Sequence, residues 1–353
     1  MAMRSRWSEQ TTTPYETDEI RSLTAAATWA DDGHGVAIAR VVQTWGSSPR
    51  PVGSIMVVTD AGEIVGSVSG GCVEGTVVQE AMDLIVMGDA RVLEFGVSNE
   101  MAWGVGLTCG GTIRVLVETL AEESAGLNRS HLDELLTARR EHRPVALATR
   151  LSDQRTRLID PARDDSELAP VVREALPTDR NHTATIGHEG WFLQLFNPPL
   201  RLVLVGAVHI AQHLAPLARQ TGYEVFVVDP RGAFATPQRF PDAQLMVQWP
   251  GDALKILRLD DRTALATLSH DPKIDDPALR DGLASDAFYI GALGSRRTHS
   301  SRLDRLKETG VDSDLLARIH APIGLDIGAR SPTEIALSVI AEMTQILRKG
   351  TST

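Results

Sequence analysis

"LRLVLVGAVHIAQHLAPLARQTGYEVFVVDPR", residues 200–231, decides how the second half of the chain folds. A buried apolar run, a Gly turn, a helical stretch, a second apolar run and acidic Asp229, 23 residues after Gly206, follow one another in the layout of a dinucleotide-binding strand–helix–strand unit. The fingerprint within that layout is incomplete. Val208 stands where a second glycine would let the backbone approach a pyrophosphate, and Ala211 stands third. Val208 counts against ordinary NAD(P) binding, and Gly206 reads equally well as a tight turn without ligand. The candidate nucleotide or anion contacts here are Gly206, Ala207, His209, Asp229 and Arg231, with His209 reading more simply as a solvent-facing residue at a helix start.

Working outward, "NPP" at 197–199 breaks regular structure, and the domain boundary is placed there. Short apolar runs then alternate with turn or helix signals, as expected of a doubly wound parallel sheet over residues 197–349. "FYIGALGSRRTHSSRLDRL", 288–306, again runs strand, Gly turn, helix. Gly291, Gly294, Ser295 and Arg296, with Arg297 beside them, would suit an anion, because free N–H groups and guanidinium groups meet at a helix start; the alternative is a solvated arginine pair. "SPTEIALSVIAEMTQILRKG", 331–350, is a capped helix: Ser331 as N-cap, Pro332 next and Glu334 completing a capping box. Its stripe of Ile335, Val339, Ile340, Met343 and Leu347 reads as core.

Residues 16–196 read as a mixed α+β domain. "TDEIRSLTAAATWADDG" predicts a helix opened by Thr17 and Asp18, and "TDAGE" between two Val/Ile-rich runs predicts a hairpin with Gly62 at its bend. "VEGTVVQEAMDLIVMGDA" has helical periodicity, and "RVLEFG" and "GTIRVLVETL" read as strands. Beyond about residue 121 come a helix, a strand, a polar loop, a second helix and the aromatic strand "GWFLQLF". The fold class is therefore α/β, a mixed α+β domain followed by a Rossmann-like domain.

At 353 residues, with 42% hydrophobic and 23% charged residues, the chain is long enough for about two cores and ordinary in composition for a folded globular protein. Its 35 basic and 46 acidic residues leave a net charge of −11, which disfavours a nucleic-acid partner. No apolar run reaches the roughly 18–20 residues of a membrane span, and the start lacks a signal-peptide core, so a cytoplasmic location is expected.

The two cysteines each touch a Gly-Gly pair, "SGGCVEG" at 69–75 and "LTCGG" at 107–111. Side-chain-free neighbours leave a sulfur accessible, and the start of a helix favours negative charge there. Cys72 with Gly70, Gly71 and Glu74 is therefore the leading candidate site; Cys109 reads equally as a small buried hydrophobe. Neither CxxC spacing nor a nearby His pair supports a zinc site. "GSSPRPVGSIMVV", 46–58, adds Ser47 and Arg50 in a proline-stiffened turn, where Arg50 suits an anion or a pterin edge but is also the kind of arginine that simply faces water.

Together, "GSSPRPVGSIMVV", "GSVSGGCVEG", "CGGTIRVLVE", "VGAVHIAQHL", "VVDPRGAF", "FYIGALGSRRT" and "APIGLDIGARSPTEIALSVIAE" resemble the XdhC/CoxI family, accessory proteins of molybdenum hydroxylases such as xanthine dehydrogenase, over residues 20 to 345. The family commonly has Gly-Ala-Gly-His where this chain has Gly206–His209. The resemblance implies a carrier that binds and shields molybdenum cofactor (molybdopterin), supports its sulfuration and delivers it to an apo molybdenum hydroxylase, with a sulfur donor of the cysteine desulfurase type as second partner. It makes Cys72 the thiol to meet the molybdenum end, since soft sulfur suits that metal. A homodimer is the expected assembly. The competing reading is an NAD(P)-dependent oxidoreductase built on the second domain, favoured by Asp229 and disfavoured by Val208 and by the absence of an evident hydride-transfer acid or base.

Overall fold

The computed structural model describes residues 17–46, 48, 50–96, 111–121 and 126–349, and the chain divides into two compact units, one spanning 16–198 and the other containing everything from Pro199 onward. In the first, helix α1 (Asp18–Asp31) is capped by the Thr17 side chain, carries Asp18 and Glu19 in its first turn and buries Ile20, Leu23, Ala26 and Ala27. Strands β1 (Val36–Trp45), β2 (Ile55–Thr59), β3 (Ile64–Gly66), β4 (Ala90–Gly96) and β5 (Thr112–Thr119) form an antiparallel sheet in the order β3-β2-β1-β5-β4. Helix α2 (Glu74–Met87) covers one face through Val77, Ala81 and Leu84. The 55–59 and 64–66 runs do form the expected hairpin, with Gly62 at φ +80° in its bend.

Helices α3 (Arg129–Arg140) and α4 (Leu168–Ala175) accompany a second antiparallel sheet, β7-β6-β9-β8, made of β6 (Val145–Arg150), β7 (Thr156–Ile159), β8 (His182–Ile186) and β9 (Glu189–Phe196). The sequence reading leaves β7 and β8 out. Both are edge strands of four or five residues; β8 alternates half-buried and exposed side chains and β7 is interrupted by exposed Arg157, so neither shows a long apolar run.

The two sheets of this unit share a buried ion pair. Arg40 of β1 is fully buried; its Nε donates to Glu118 Oε1 of β5 at 2.7 Å, Nη1 to Gln194 of β9 at 3.3 Å, and Nη2 to Thr149 of β6 and Thr156 of β7 at 2.8 and 3.2 Å. Glu118 also accepts the Leu127 N–H at 2.6 Å, so both charges are hydrogen-bonded, as burial requires.

The second unit is a doubly wound Rossmann domain. Strands β10 (Leu200–Val205), β11 (Tyr223–Val228), β12 (Gln244–Met246), β13 (Thr263–Thr267), β14 (Tyr289–Ala292) and β15 (Ile319–His320) are all parallel, in the order β12-β11-β10-β13-β14-β15. That is the 3-2-1-4-5-6 arrangement whose switch point falls between its first and fourth strands. Helices α5 (His209–Gln220) and α10 (Pro332–Lys349) pack on one face, and α6 (Pro250–Leu257), α7 (Pro272–Leu283), α8 (Arg296–Glu308) and the short α9 (Ser313–Leu316) contribute to the core on the other. The α10 capping box forms as expected: Glu334 N–H donates to Ser331 Oγ at 3.2 Å, and Glu334 Oε2 accepts the Ser331 N–H at 2.8 Å. Val339, Ile340 and Met343 of its stripe are buried.

Candidate functional site

The loop between β3 and α2 is organised by one carboxylate. Glu74 Oε1 accepts from Ser67 Oγ at 2.8 Å and from the Ser69 N–H at 2.8 Å; Oε2 accepts from Ser69 Oγ, from the Gly71 N–H at 2.9 Å and from the Val73 N–H at 3.2 Å. Ser69 Oγ in turn accepts the N–H groups of Cys72 and Val73, each at 3.0 Å. Burial by itself would raise the Glu74 carboxyl, but the hydrogen bonds from Ser69 and Ser67 and from backbone N–H groups outweigh it and bring the group down to about 2. Glu74 is thus an ion held inside the bend, and its oxygens face the loop itself.

Gly70 and Gly71 take φ of +77° and +116°, values that side-chain-bearing residues rarely adopt, and so let the chain curl around that carboxylate. Both are exposed, and among the described residues, chain neighbours aside, nothing lies within 4 Å of where a Gly71 side chain would begin. Cys72, next in the chain, is a free thiol, half-buried, with its backbone N–H fixed on Ser69. The arrangement places one half-buried soft sulfur next in the chain to an exposed glycine, on a bend tied together by hydrogen bonds.

Arg50 lies 3.8 Å from Asp18, its Nε buried without a hydrogen-bond partner among the described residues. Ser47 and Cys109, two of the expected contacts, lie outside the described residues. Among the described residues no group of three or more His, Cys, Asp or Glu side chains is placed to hold a metal ion, and no helix is long and apolar enough to cross a membrane.

In the second unit, Gly206 ends β10 at φ +105°, and a side chain there would sit 2.8 Å from the Ser269 backbone nitrogen beyond β13, so close strand packing requires glycine at this turn. Asp229, fully buried at the end of β11, is closed off by its own surroundings. Its oxygens accept the Ala207 N–H at 2.8 Å, the Arg231 N–H at 2.9 Å, and Arg231 Nε and Nη2 at 2.8 and 2.7 Å. Burial opposes ionisation, yet the Arg231 bonds hold the carboxyl below its ordinary value. Val208 has an ordinary extended backbone (φ −88°) and packs on the core, and exposed His209 begins α5 with Nε2 3.5 Å from Nε2 of His213. Gly291 lies inside β14 against Ile323 and Tyr289, while Gly294 and Ser295 form the turn into α8, where Ser295 Oγ caps the Thr298 N–H and Arg296 is exposed. The expected nucleotide contacts therefore fall on three strand ends of one sheet edge.

Residues 29–96, which include the Gly-Gly-Cys bend, match the profile described as the XdhC and CoxI family, and residues 202–343 match the XdhC Rossmann domain. The chain is 30% identical over 331 residues to the molybdenum cofactor insertion chaperone PaoD of Escherichia coli (strain K12), covering 94% of this chain and 89% of PaoD. It belongs to the XdhC and CoxI family. A protein of Bacillus subtilis (strain 168) named as a probable xanthine dehydrogenase subunit is 28% identical, over 90% of this chain and 95% of that protein. The crystal structure of a protein titled a xanthine dehydrogenase from Bacillus halodurans superposes with a TM-score of 0.72 at 25% identity, covering 94% of this chain and 98% of that one.

Within the XdhC and CoxI part, sequence reasoning misses Ser67 and Ser69, the hydroxyls that lock Glu74. The signal is present: Ser-x-Ser followed by two glycines and then Glu at a helix start is a side-chain-to-backbone capping pattern. It misses Arg40 and Glu118 for a different reason, because charged residues inside strands read as solvent-facing until their cross-sheet partners are known. In the XdhC Rossmann part it misses Arg302 and Asp275, both 2% exposed.

Proposed function

We propose that this protein carries molybdenum cofactor for a xanthine dehydrogenase-type hydroxylase: it holds the cofactor at the bend of residues 66–75, protects it, supports its sulfuration and delivers it to the apo-enzyme. The observation that carries the reading is the Glu74-locked bend, in which half-buried Cys72 follows Gly71, an exposed position with open space where a side chain would begin. A bulky pterin needs that clearance, and a soft sulfur is the ligand type that suits molybdenum. Glu74 acts through the loop, holding Cys72 in place, as a supporting shell does around a metal ligand. Arg50, whose buried Nε has no partner among the described residues, is the candidate grip for an oxygen or phosphate group of the cargo. The likeness to PaoD over 94% of the chain supports the same assignment, and a sulfur donor of the desulfurase type and a homodimeric assembly belong to it.

The dehydrogenase alternative finds less support, because Arg231 and the Ala207 N–H occupy the carboxylate that would otherwise meet a ribose. The test is anaerobic. Purified protein is mixed with molybdenum cofactor, and separately with NADH and NADPH, and retention is read after gel filtration for the wild type and Cys72→Ala. Loss of cofactor affinity by about a hundredfold in the variant is expected, with unchanged thermal unfolding. Equal retention by both proteins, or tight nicotinamide binding indifferent to Cys72, refutes the carrier reading.

A further inference from the structure

His270 of the loop after β13, Pro272, Asp275 and Asp276 at the start of α7, and the first three turns of α8 line an open cleft of about 280 Å³ at the carboxyl edge of the parallel sheet, the edge at which doubly wound folds bind ligands. On α8 the spacing of Arg297, Ser301 and Arg305, and of Thr298 and Arg302, sets these side chains four residues apart on one helix face, and all five line the cleft together with His270. Their charges are not equivalent. Arg305 is satisfied, its Nε and Nη2 donating to the two Asp276 oxygens at 2.6 and 3.0 Å. Asp275 is satisfied too: Oδ1 accepts the Ser269 N–H and Oγ–H at 3.3 and 2.7 Å, and Oδ2 accepts the His270 N–H at 3.0 Å.

Arg302 is the exception. Only 2% exposed, it donates from Nη2 to the Leu293 carbonyl at 2.8 Å and stands 4.0 Å from Asp275, while its Nε and Nη1 are buried with no hydrogen-bond partner among the described residues. A buried cation with two idle donors is a costly arrangement that folded proteins rarely leave uncompensated. Burial pushes this guanidinium below its ordinary value, and the two Asp275 oxygens that would steady it are already engaged by the loop. Exposed Arg297 adds a second cation, and Thr298 and Ser301 add hydroxyl donors at the rim.

We propose that this cleft is an anion site for a phosphate or pyrophosphate group, with Arg302 as the buried donor at its floor and Arg297, Thr298 and Ser301 at its rim. A guanidinium fork matches phosphate oxygens in geometry as well as charge. The volume sets the class: it lies at the small end of ligand pockets, so it takes a phosphate-bearing end of a molecule and leaves the remainder outside. The site shares Arg297 with the helix-start contact anticipated at Gly291, Gly294, Ser295 and Arg296, but its centre is elsewhere, since Ser295 caps its own helix and the buried donor lies two turns further along. It is independent of the Cys72 reading.

Calorimetric titration of the full chain with inorganic phosphate, pyrophosphate and ADP tests it, using wild type, Arg297→Gln and Arg302→Met. Pyrophosphate should bind the wild type with an affinity that falls as salt rises, weaken about tenfold in Arg297→Gln and vanish in Arg302→Met. ADP binding more tightly than pyrophosphate identifies a nucleotide as the source of the phosphate; equal affinity identifies a free phosphate ligand. Absence of heat with all three probes overturns the proposal, as does pyrophosphate binding that is unchanged in Arg297→Gln. That exposed substitution decides the matter even where Arg302→Met fails to fold.

Discussion

In the bend at 66–75 five donors converge on the two oxygens of Glu74, whereas in the cleft beside α8 two donors of one buried arginine meet no acceptor among the described residues. The bend is electrostatically complete, so what it presents outward is shape and one sulfur. The cleft is incomplete, so what it presents is charge. Asp229 shows that the difference is not one between the two units, since it lies in the Rossmann sheet and is as fully engaged as Glu74. A buried ion with all its partners is a structural fastener, and a buried ion lacking them marks a place prepared for a ligand.

The comparison breaks most visibly at Glu74. Glu74→Gln keeps the size but turns one acceptor into a donor facing the N–H and O–H groups that now bind it. Loss of the charge-assisted bonds should weaken the bend by about 2 kcal/mol and reduce cofactor retention by about ten- to hundredfold, read by the same anaerobic gel filtration. Retention equal to wild type would mean that Cys72 does not depend on the carboxylate for its position. Gly206→Ala probes a fastener of another kind, since the new side chain meets the Ser269 backbone at 2.8 Å and the turn sits at φ +105°. A loss of about 1–3 kcal/mol in thermal unfolding of the Rossmann unit is expected, with cofactor retention unchanged.

Much of this architecture was legible in residue order. Alternating apolar runs and turns after Pro199 announce the parallel sheet, because buried strands of such sheets are continuously apolar and need no partner to be recognised. The Gly-Gly-Cys bend was legible because paired glycines mark backbone at positive φ, here +77° and +116°, which residues with side chains rarely adopt. Illegible were features that exist only between distant segments. Arg302 reads as one more polar residue of a basic helix, and only its burial, with Nη2 on the Leu293 carbonyl after β14, distinguishes it from exposed Arg297. Asp229 was legible as an acidic strand end, but its closure by Arg231 required the turn geometry. Strands β7 and β8 escaped because half-exposed edge strands lack an apolar signature.

The smallest effect is the sharpest probe of whether Glu74 is as fully engaged in solution as its bonds imply. Its folded value of about 2 lies below the ordinary 4.5, so the fold favours the ionised form. The stabilisation it gives the bend is therefore fully present above the ordinary value and is lost as pH falls through about 2. Carbon-13 spectra of the labelled side-chain carboxyls should place the Glu74 midpoint near 2, leave it there in Cys72→Ala, whose thiol donates nothing to the carboxylate, and move it upward in Ser69→Ala, which removes the hydroxyl that contributes most to lowering it. Cofactor retention should accordingly stay level from neutral pH down to about pH 5. A Glu74 midpoint at its ordinary value would show that the five donors do not hold the carboxylate in solution, and the contrast between a completed bend and an uncompleted cleft would then rest on Arg302 alone.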